Sequence, residues 1–410
     1  MTGIGAITPL GNTAPAYWEG LAQGVSGAAP ITRFDASKFK TRFACEVKNY
    51  NPDDYFDRKE GRKMDLFTQF GVIASDEAIK DAGLLDGGVN KDRVGVIWGS
   101  GIGGLTTFQN ECFTFAKGDG TPRYNPFFIP KMIADSSSGN ISIKNGFRGP
   151  NFVTTSACAS SSDSIVSAYN YIRLGMADVV VTGGSEAAIT EAGVGGFNAL
   201  KAMSERNDDP QTASRPYDKD RDGFVLGEGG GALVIEDYEH AKARGAKIYA
   251  EIIGGGLSSD AYHITAPDPT GEGVVIVMQN ALRDAGIRPE EVDYINTHGT
   301  STPLGDGAEI TAIQKVFGDA AYNLNISSTK SMTGHLLGGA GGIEAVASIL
   351  AIQNGIVPPT INHFTDDPEL DARLNFTFNK AQQREINIAV SNTFGFGGHN
   401  TSVVFRKFRD

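Results

Sequence analysis

Phe152-Val153-Thr154-Thr155-Ser156-Ala157-Cys158-Ala159-Ser160-Ser161-Ser162 passes from an apolar run into small residues. Ile165, Tyr169 and Ile172 then follow at helical spacing until Gly175, which predicts a strand over Phe152–Thr155, a turn, and an amphipathic helix stopping at the glycine. Strand–turn–helix is the repeating unit of α/β folds. Cys158 falls at or near the helix N-terminus, where unpaired N–H groups and the dipole favour a thiolate and lower the thiol pKa. A cysteine can equally be an inert buried residue. The small, unbranched residues on both sides favour a nucleophile, because a thioester needs room to reach sulfur.

Outward from this stretch, further strand-like runs alternate with helical ones: Val94–Trp98, Val179–Thr182, Ala232–Ile235, Tyr249–Ile253, Val292–Ile295, Asn325–Ser328, Ile388–Ser391 and Thr401–Phe405. The charged segment Tyr238–Lys247 separates two portions of comparable design, with no low-complexity linker. Asn325–Ser328 also runs into a polar turn, Thr329-Lys330-Ser331-Met332-Thr333-Gly334-His335, and a helix from about Ala340 to Gly355. This suggests a duplication, although two such units also recur by chance in α/β chains.

The 410 residues, 40% hydrophobic, can build a large core. A net charge of −12 argues against general nucleic-acid binding and leaves only local basic patches for an acidic partner. Cys45, Cys112 and Cys158 form neither a CxxC pair nor an even framework, which points to a reducing compartment. No apolar run reaches the ~18 residues of a membrane span, and no basic-then-apolar leader opens the chain. A cytoplasmic protein is expected.

Among six histidines, His298 in Asn296-Thr297-His298-Gly299-Thr300-Ser301-Thr302 and His335 in Thr333-Gly334-His335-Leu336-Leu337-Gly338-Gly339 follow strand ends, where open parallel sheets place ligand sites. Each alone could be structural; together with Cys158 they suggest catalysis. His240, His263 and His363 read as structural or secondary. Asn392-Thr393-Phe394-Gly395-Phe396-Gly397-Gly398 joins two adjacent strands and could aim N–H groups at an oxyanion, or be a plain turn. Gly99-Ser100-Gly101-Ile102-Gly103-Gly104 matches the dinucleotide fingerprint formally, but no second strand ending in an acidic ribose ligand follows at the expected distance. No Walker A, HExxH or metal-ligand spacing occurs.

These motifs, with Arg215-Pro216-Tyr217-Asp218 and Asp222-Gly223-Phe224-Val225-Leu226-Gly227-Glu228, resemble the β-ketoacyl-[acyl carrier protein] synthases over essentially the whole chain. The resemblance is strongest to their elongating members. It implies a thiolase-like α/β fold of two similar halves, 1–245 with the nucleophile and 246–410 with both histidines, each holding a five-stranded sheet in an α-β-α-β-α stack, and a homodimer. It implies decarboxylative condensation of malonyl-acyl carrier protein with an acyl group on Cys158, elongating fatty acids by two carbons. Backbone N–H groups of Cys158 and Phe396 would hold the oxyanion, His298 and His335 the enolate, and Lys330 and Glu344 would orient the site. Thr300 and Thr302 would bind the phosphopantetheine arm, which arrives with the acyl carrier protein, so no metal or redox cofactor is expected. Phe128 and Ile129 would form an acyl pocket contributed across the dimer, with Ile102 and Phe396 controlling its depth and opening. Arg58, Lys59, Arg62 and Lys63, on neighbouring stripes of one helix, and Lys201 would dock the carrier protein.

The chain departs from the family in a short first central strand, in Ser161-Ser162-Asp163 after the nucleophile, and in His399 where threonine is frequent; neither of the last two is expected to touch the catalytic atoms. A degradative thiolase would need a second cysteine after Cys158, and none follows. Initiating synthases and chalcone-type enzymes use Cys-His-Asn, which His335 disfavours. A ketosynthase of a specialised type II polyketide or aryl-polyene pathway, or a non-catalytic acyl-carrier-binding homologue, stays open as the alternative.

Overall fold

The computed structural model describes residues 1–409. Five strands, β1 (Gly3–Ile7), β2 (Val94–Gly99), β3 (Asn151–Thr154), β4 (Val179–Glu186) and β5 (Gly229–Glu236), form one sheet in the order β1-β5-β4-β2-β3. Five more, β6 (Ala250–Ser259), β7 (Tyr294–Asn296), β8 (Asn325–Ser327), β9 (Ile388–Gly395) and β10 (His399–Lys407), form the second in the order β8-β7-β9-β10-β6. In both sheets the second, third and fourth strands of the half pair in parallel (β3, β2, β4 and β8, β7, β9), and the fifth and first follow, each antiparallel to its neighbour. The same order with the same directions makes the two halves topological copies, as the repeated strand–turn–helix pattern suggests.

Helices α2 (Ser160–Arg173) and α5 (Ala340–Asn354) lie between the sheets, α1 (Leu66–Asp81) covers the outer face of the first, and α3 (Glu272–Ala285) and α4 (Pro303–Phe317) cover the second. The expected five-layer thiolase-like stack is therefore present. Both faces of each sheet are covered, which is why β4 and β5 are buried along their whole length and read as continuous apolar or glycine-rich runs. The central core joins Ile165 of α2, Ile343 and Val346 of α5, Leu233 of β5 and Val403 of β10. α5 is apolar almost all round, as a helix sandwiched between two sheets must be. Its seating on β5 depends on two glycines: a Cβ at Gly231 would lie 2.4 Å from the Gly342 carbonyl carbon.

Several expectations change. β1 is an edge strand, paired with β5 from Gly3↔Val234 to Ile7↔Gly230, and not a central one. β4 and β6 extend well past Thr182 and Ile253 through Gly183-Gly184 and Gly254-Gly255-Gly256, residues whose weak β-propensity hides a strand that tertiary packing enforces. The basic helix is a single turn, Arg58–Gly61, with Arg62 as its cap and Lys63 beyond it. Asp57 makes no side-chain cap bond, and the chain must drop into the core at Met64 before Asp65 starts α1. The four basic residues thus share an exposed stretch without forming two helical stripes. No helix among the described residues is long and apolar enough to cross a membrane.

Candidate active site

The loops after β3, β7, β8 and β9 converge at the seam between the two sheets. After β3 the chain turns sharply at Ala157, whose φ of 50° lies in the left-handed region, an unfavourable conformation for a residue with a Cβ. The turn is held by Ser160, whose hydroxyl donates to the Ala157 carbonyl (2.7 Å) and accepts from the Ser156 N–H (3.0 Å). Cys158 follows in a short 3-10 turn that runs into α2. Contrary to the expectation of a lowered pKa, burial pushes the Cys158 thiol up to about 11, outweighing the Lys330 charge and the Phe396 N–H, which act to lower it. Removing a thiolate from water costs more than one helix terminus returns. The resting group is a thiol that needs a proton acceptor.

Two imidazoles stand beside it. His298 follows β7, and the Glu309 carboxylate on α4 accepts the backbone N–H groups of His298 (3.0 Å) and Gly299 (2.9 Å). His335 arrives on the longer segment after β8, its N–H donating to the Val225 carbonyl (2.7 Å) and its ring meeting Phe224 edge-on. The imidazole centroids are 5.2 Å apart and nearly perpendicular, at 87°. One nitrogen each of His298 and His335 and the Cys158 sulfur all lie within 4.8 Å of one another. Burial, then the positive charge of Lys330, holds both imidazoles well below the ordinary range, so both are neutral. Lys330 is itself buried against Glu344, its ion-pair partner. Cysteine and two histidines are also metal-type donors. With the lysine charge already depressing both imidazoles, a second cation there is opposed, and the set fits proton chemistry better.

A cavity of about 460 Å³ opens onto this trio, lined also by Thr300, Thr302, Lys201 and Phe396. The Thr300 and Thr302 hydroxyls are 3.0 Å apart. Phe396 sits in the β9–β10 turn, where Gly397 (φ 87°) and Gly398 (φ 74°) take conformations that exclude most side chains, and its backbone N–H acts to lower the Cys158 thiol pKa. The structure therefore assembles Cys158, His298, His335, Lys330, Glu344, Thr300, Thr302 and Phe396 at one place. It does not bring Ile102, Phe128 and Ile129 into the cavity of this chain. Ile102 and Ile129 are exposed, and Phe128 stacks on Tyr124 on a surface shared with Phe108 and Ile133. Lys201 is exposed at the cavity rim, whereas Lys63 pairs with Glu60.

The fingerprint-like loop Gly99–Gly104 does not cradle a phosphate. The buried Glu186 carboxylate at the end of β4 accepts the N–H groups of Gly101 (2.8 Å), Ile102 (3.2 Å) and Gly103 (3.3 Å), and of Gly338 (3.1 Å) in the other half. Sequence reading missed Glu186 and Glu309; an acid in an otherwise apolar strand or on the buried stripe of a helix is the signal that marks them. Three of the other four histidines are structural in kind: His240 bonds Glu236, His263 accepts from Thr265 and Ala266, and His363 stacks on Phe378.

Residues 1–241 match the family model for the β-ketoacyl synthase N-terminal domain, and 249–364 that for the C-terminal domain. The chain is 50% identical over 409 residues to 3-oxoacyl-[acyl-carrier-protein] synthase 2 of Synechocystis sp., covering 100% of this chain and 98% of that protein. It is 50% identical over 408 residues to the protein of that name in Staphylococcus aureus, with the same coverage. A crystal structure of a β-ketoacyl synthase from Burkholderia phymatum superimposes with a TM-score of 0.92 at 36% identity, covering 100% and 99% of the two chains. A type II polyketide ketosynthase, solved with its acyl-carrier protein and bound to the hexaketide, does so with a TM-score of 0.90 at 32% identity, covering 100% and 98%. With both family models matched in order and Cys158 and the paired imidazoles assembled at the seam of the two halves, the chain belongs to the β-ketoacyl synthase family.

Proposed function

We propose that this protein is an acyltransferase that condenses malonyl-acyl carrier protein, with loss of CO₂, onto an acyl group held as a thioester on Cys158, elongating fatty acids by two carbons. The observation that carries the reading is a thiol and two neutral imidazoles within 4.8 Å of one another, lining a cavity of about 460 Å³. In the first half-reaction the thiol proton passes to an imidazole nitrogen and sulfur attacks the acyl thioester. The oxyanion is held by the N–H groups of Cys158 and Phe396, and the carrier thiolate leaves and takes up the proton. In the second, the bond to the malonyl carboxylate breaks, CO₂ departs, and its electron pair forms an enolate. Neutral His298 and His335 donate N–H bonds to that enolate, which an imidazolium would instead protonate. The enolate carbon attacks acyl-Cys158, the cysteine leaves as a thiolate, and a proton taken up from water restores the thiol. Burial, reinforced by the charge of Lys330, keeps both imidazoles neutral.

Thr300 and Thr302, which line the cavity, suit a pantetheine amide, and the arm comes with the carrier protein as part of the substrate. The halves divide at 245/246. The edge strand β3 and the exposed Phe108, Ile129 and Ile133 favour a homodimer in which the partner covers this face and Phe128 and Ile129 complete an acyl pocket with Ile102. Arg58, Lys59, Arg62, Lys63 and Lys201 supply the local positive charge that an acidic carrier needs on a protein of charge −12. The test is condensation by the purified protein across acyl lengths with malonyl-acyl carrier protein. Single two-carbon extension supports elongation. Repeated extension without reduction would favour a polyketide ketosynthase, and no product a carrier-binding homologue.

A further inference from the structure

The two oxyanion donors come from different halves: the Cys158 N–H from the turn after β3, the Phe396 N–H from the β9–β10 turn. Their spacing is set by whatever ties one turn to the other. At the base of the Phe396 turn, Thr393 of β9 and Thr401 of β10 are direct cross-strand partners. Two consecutive residues of α2 grip this pair, Ser162 through the Thr393 hydroxyl and Asp163 through the Thr401 hydroxyl. The other oxygen of Asp163 accepts the Ser156 hydroxyl at 2.5 Å, two residues before the nucleophile. Above this grip the surfaces are in close contact, since a Cβ at Gly395 would lie 2.7 Å from the Ser156 carbonyl oxygen and 3.0 Å from the Cys158 nitrogen.

We infer that Asp163, bridging Ser156 of the nucleophile turn and Thr401 beneath the Phe396 turn, is a positioning residue that sets the separation of the two oxyanion donors. It touches neither the sulfur nor the imidazoles, so it acts only through the two turns. A misplacement of about 1 Å in such a site can cost ~100-fold. The inference rests on the acyl-transfer reading of Cys158.

The test compares two reactions of the same thiol. Transfer of a hexanoyl group from hexanoyl-pantetheine to Cys158, followed by mass spectrometry, passes through an oxyanion; alkylation of Cys158 by iodoacetamide does not. Asp163→Ala and, from the other side of the bridge, Thr401→Val should each slow acyl transfer by about 10- to 100-fold and leave alkylation within about twofold. Asp163→Asn, whose amide can accept from one hydroxyl and donate to the other, should restore most of the transfer rate. Unchanged transfer in both Asp163→Ala and Thr401→Val, or equal losses in transfer and alkylation, would overturn the inference. A parent protein that takes no acyl group on Cys158 would instead remove the proposed function beneath it.

Discussion

The turn after β3 and the turn after β8 occupy equivalent places in the two halves, and their backbones repeat closely. Ala157 has φ 50° and Leu337 φ 49°; each opens a short 3-10 turn, and each turn leads into a central helix, α2 or α5. The residue after the left-handed position is Cys158 in one half and Gly338 in the other. The approach differs as well. Only Thr155 and Ser156 separate β3 from its turn, whereas Ser328–Leu336, carrying Lys330 and His335, separates β8 from the other. A duplicated backbone has thus been given different side chains: one half supplies Cys158 and the other extends the same connection to bring a cation and an imidazole beside it. Each half also buries a carboxylate against the loop after its second strand, Glu186 under Gly101–Gly103 and Glu309 under His298 and Gly299.

The largest effect should come from the nucleophile. Cys158→Ala is expected to lower condensation by at least about a thousandfold with the fold intact, checked by product formation and circular dichroism. Cys158→Gln should instead raise malonyl decarboxylation, its amide standing in for the acyl thioester. Normal condensation in the alanine variant would end the assignment of the nucleophile to the first half.

His298→Ala and His335→Ala probe the other half. Each should retain measurable acyl transfer to Cys158, the remaining imidazole accepting the thiol proton, and lose malonyl decarboxylation by roughly 100- to 1,000-fold, about 2.7–4 kcal/mol. Equal loss in both half-reactions would mean that the imidazoles do not serve the enolate selectively.

The paired carboxylates give a pH test. Burial pushes Glu186 and Glu309 up to about 7 from 4.5. Between those values the folded state binds a proton that the unfolded state does not. The contribution to stability is therefore complete below about pH 4.5 and is lost as pH rises through about 7. For Glu309 it amounts to about 3 kcal/mol. Urea midpoints measured from pH 5 to 8 should fall less steeply in Glu309→Gln than in the parent. Parallel curves would place the titration elsewhere.

The smallest effect concerns why the second turn carries no side chain. A Cβ at Gly338 would lie 2.1 Å from the Gly101 nitrogen, so Gly338→Ala should cost about 1–3 kcal/mol as overpacking, read from denaturant midpoints. An unchanged midpoint would show that the seam can open, and that glycine there does not reflect space alone.

The sequence by itself determined the α/β class, the two-unit layout, and the trio Cys158, His298 and His335, because each lies in a local pattern of strand end, small residues and helix that short-range sterics and hydrogen bonding dictate. The family motifs extended this to Lys330, Glu344, Thr300, Thr302 and Phe396. Local pattern also misled: four basic residues at helical spacing form one turn, since Met64 and Asp65 commit the chain to the core. The fingerprint-like loop, set aside in the sequence because no acidic second strand follows, has its N–H groups filled by Glu186 from another strand. Only the tertiary structure decided that the Cys158 thiol rests protonated, because desolvation depends on everything packed around it. The same holds for Glu309 beneath His298 and for the Asp163 bridge between the two turns. Those contacts join residues far apart in the chain, and the free energy of burying a charge or aiming a donor is fixed by neighbours that no window of sequence contains.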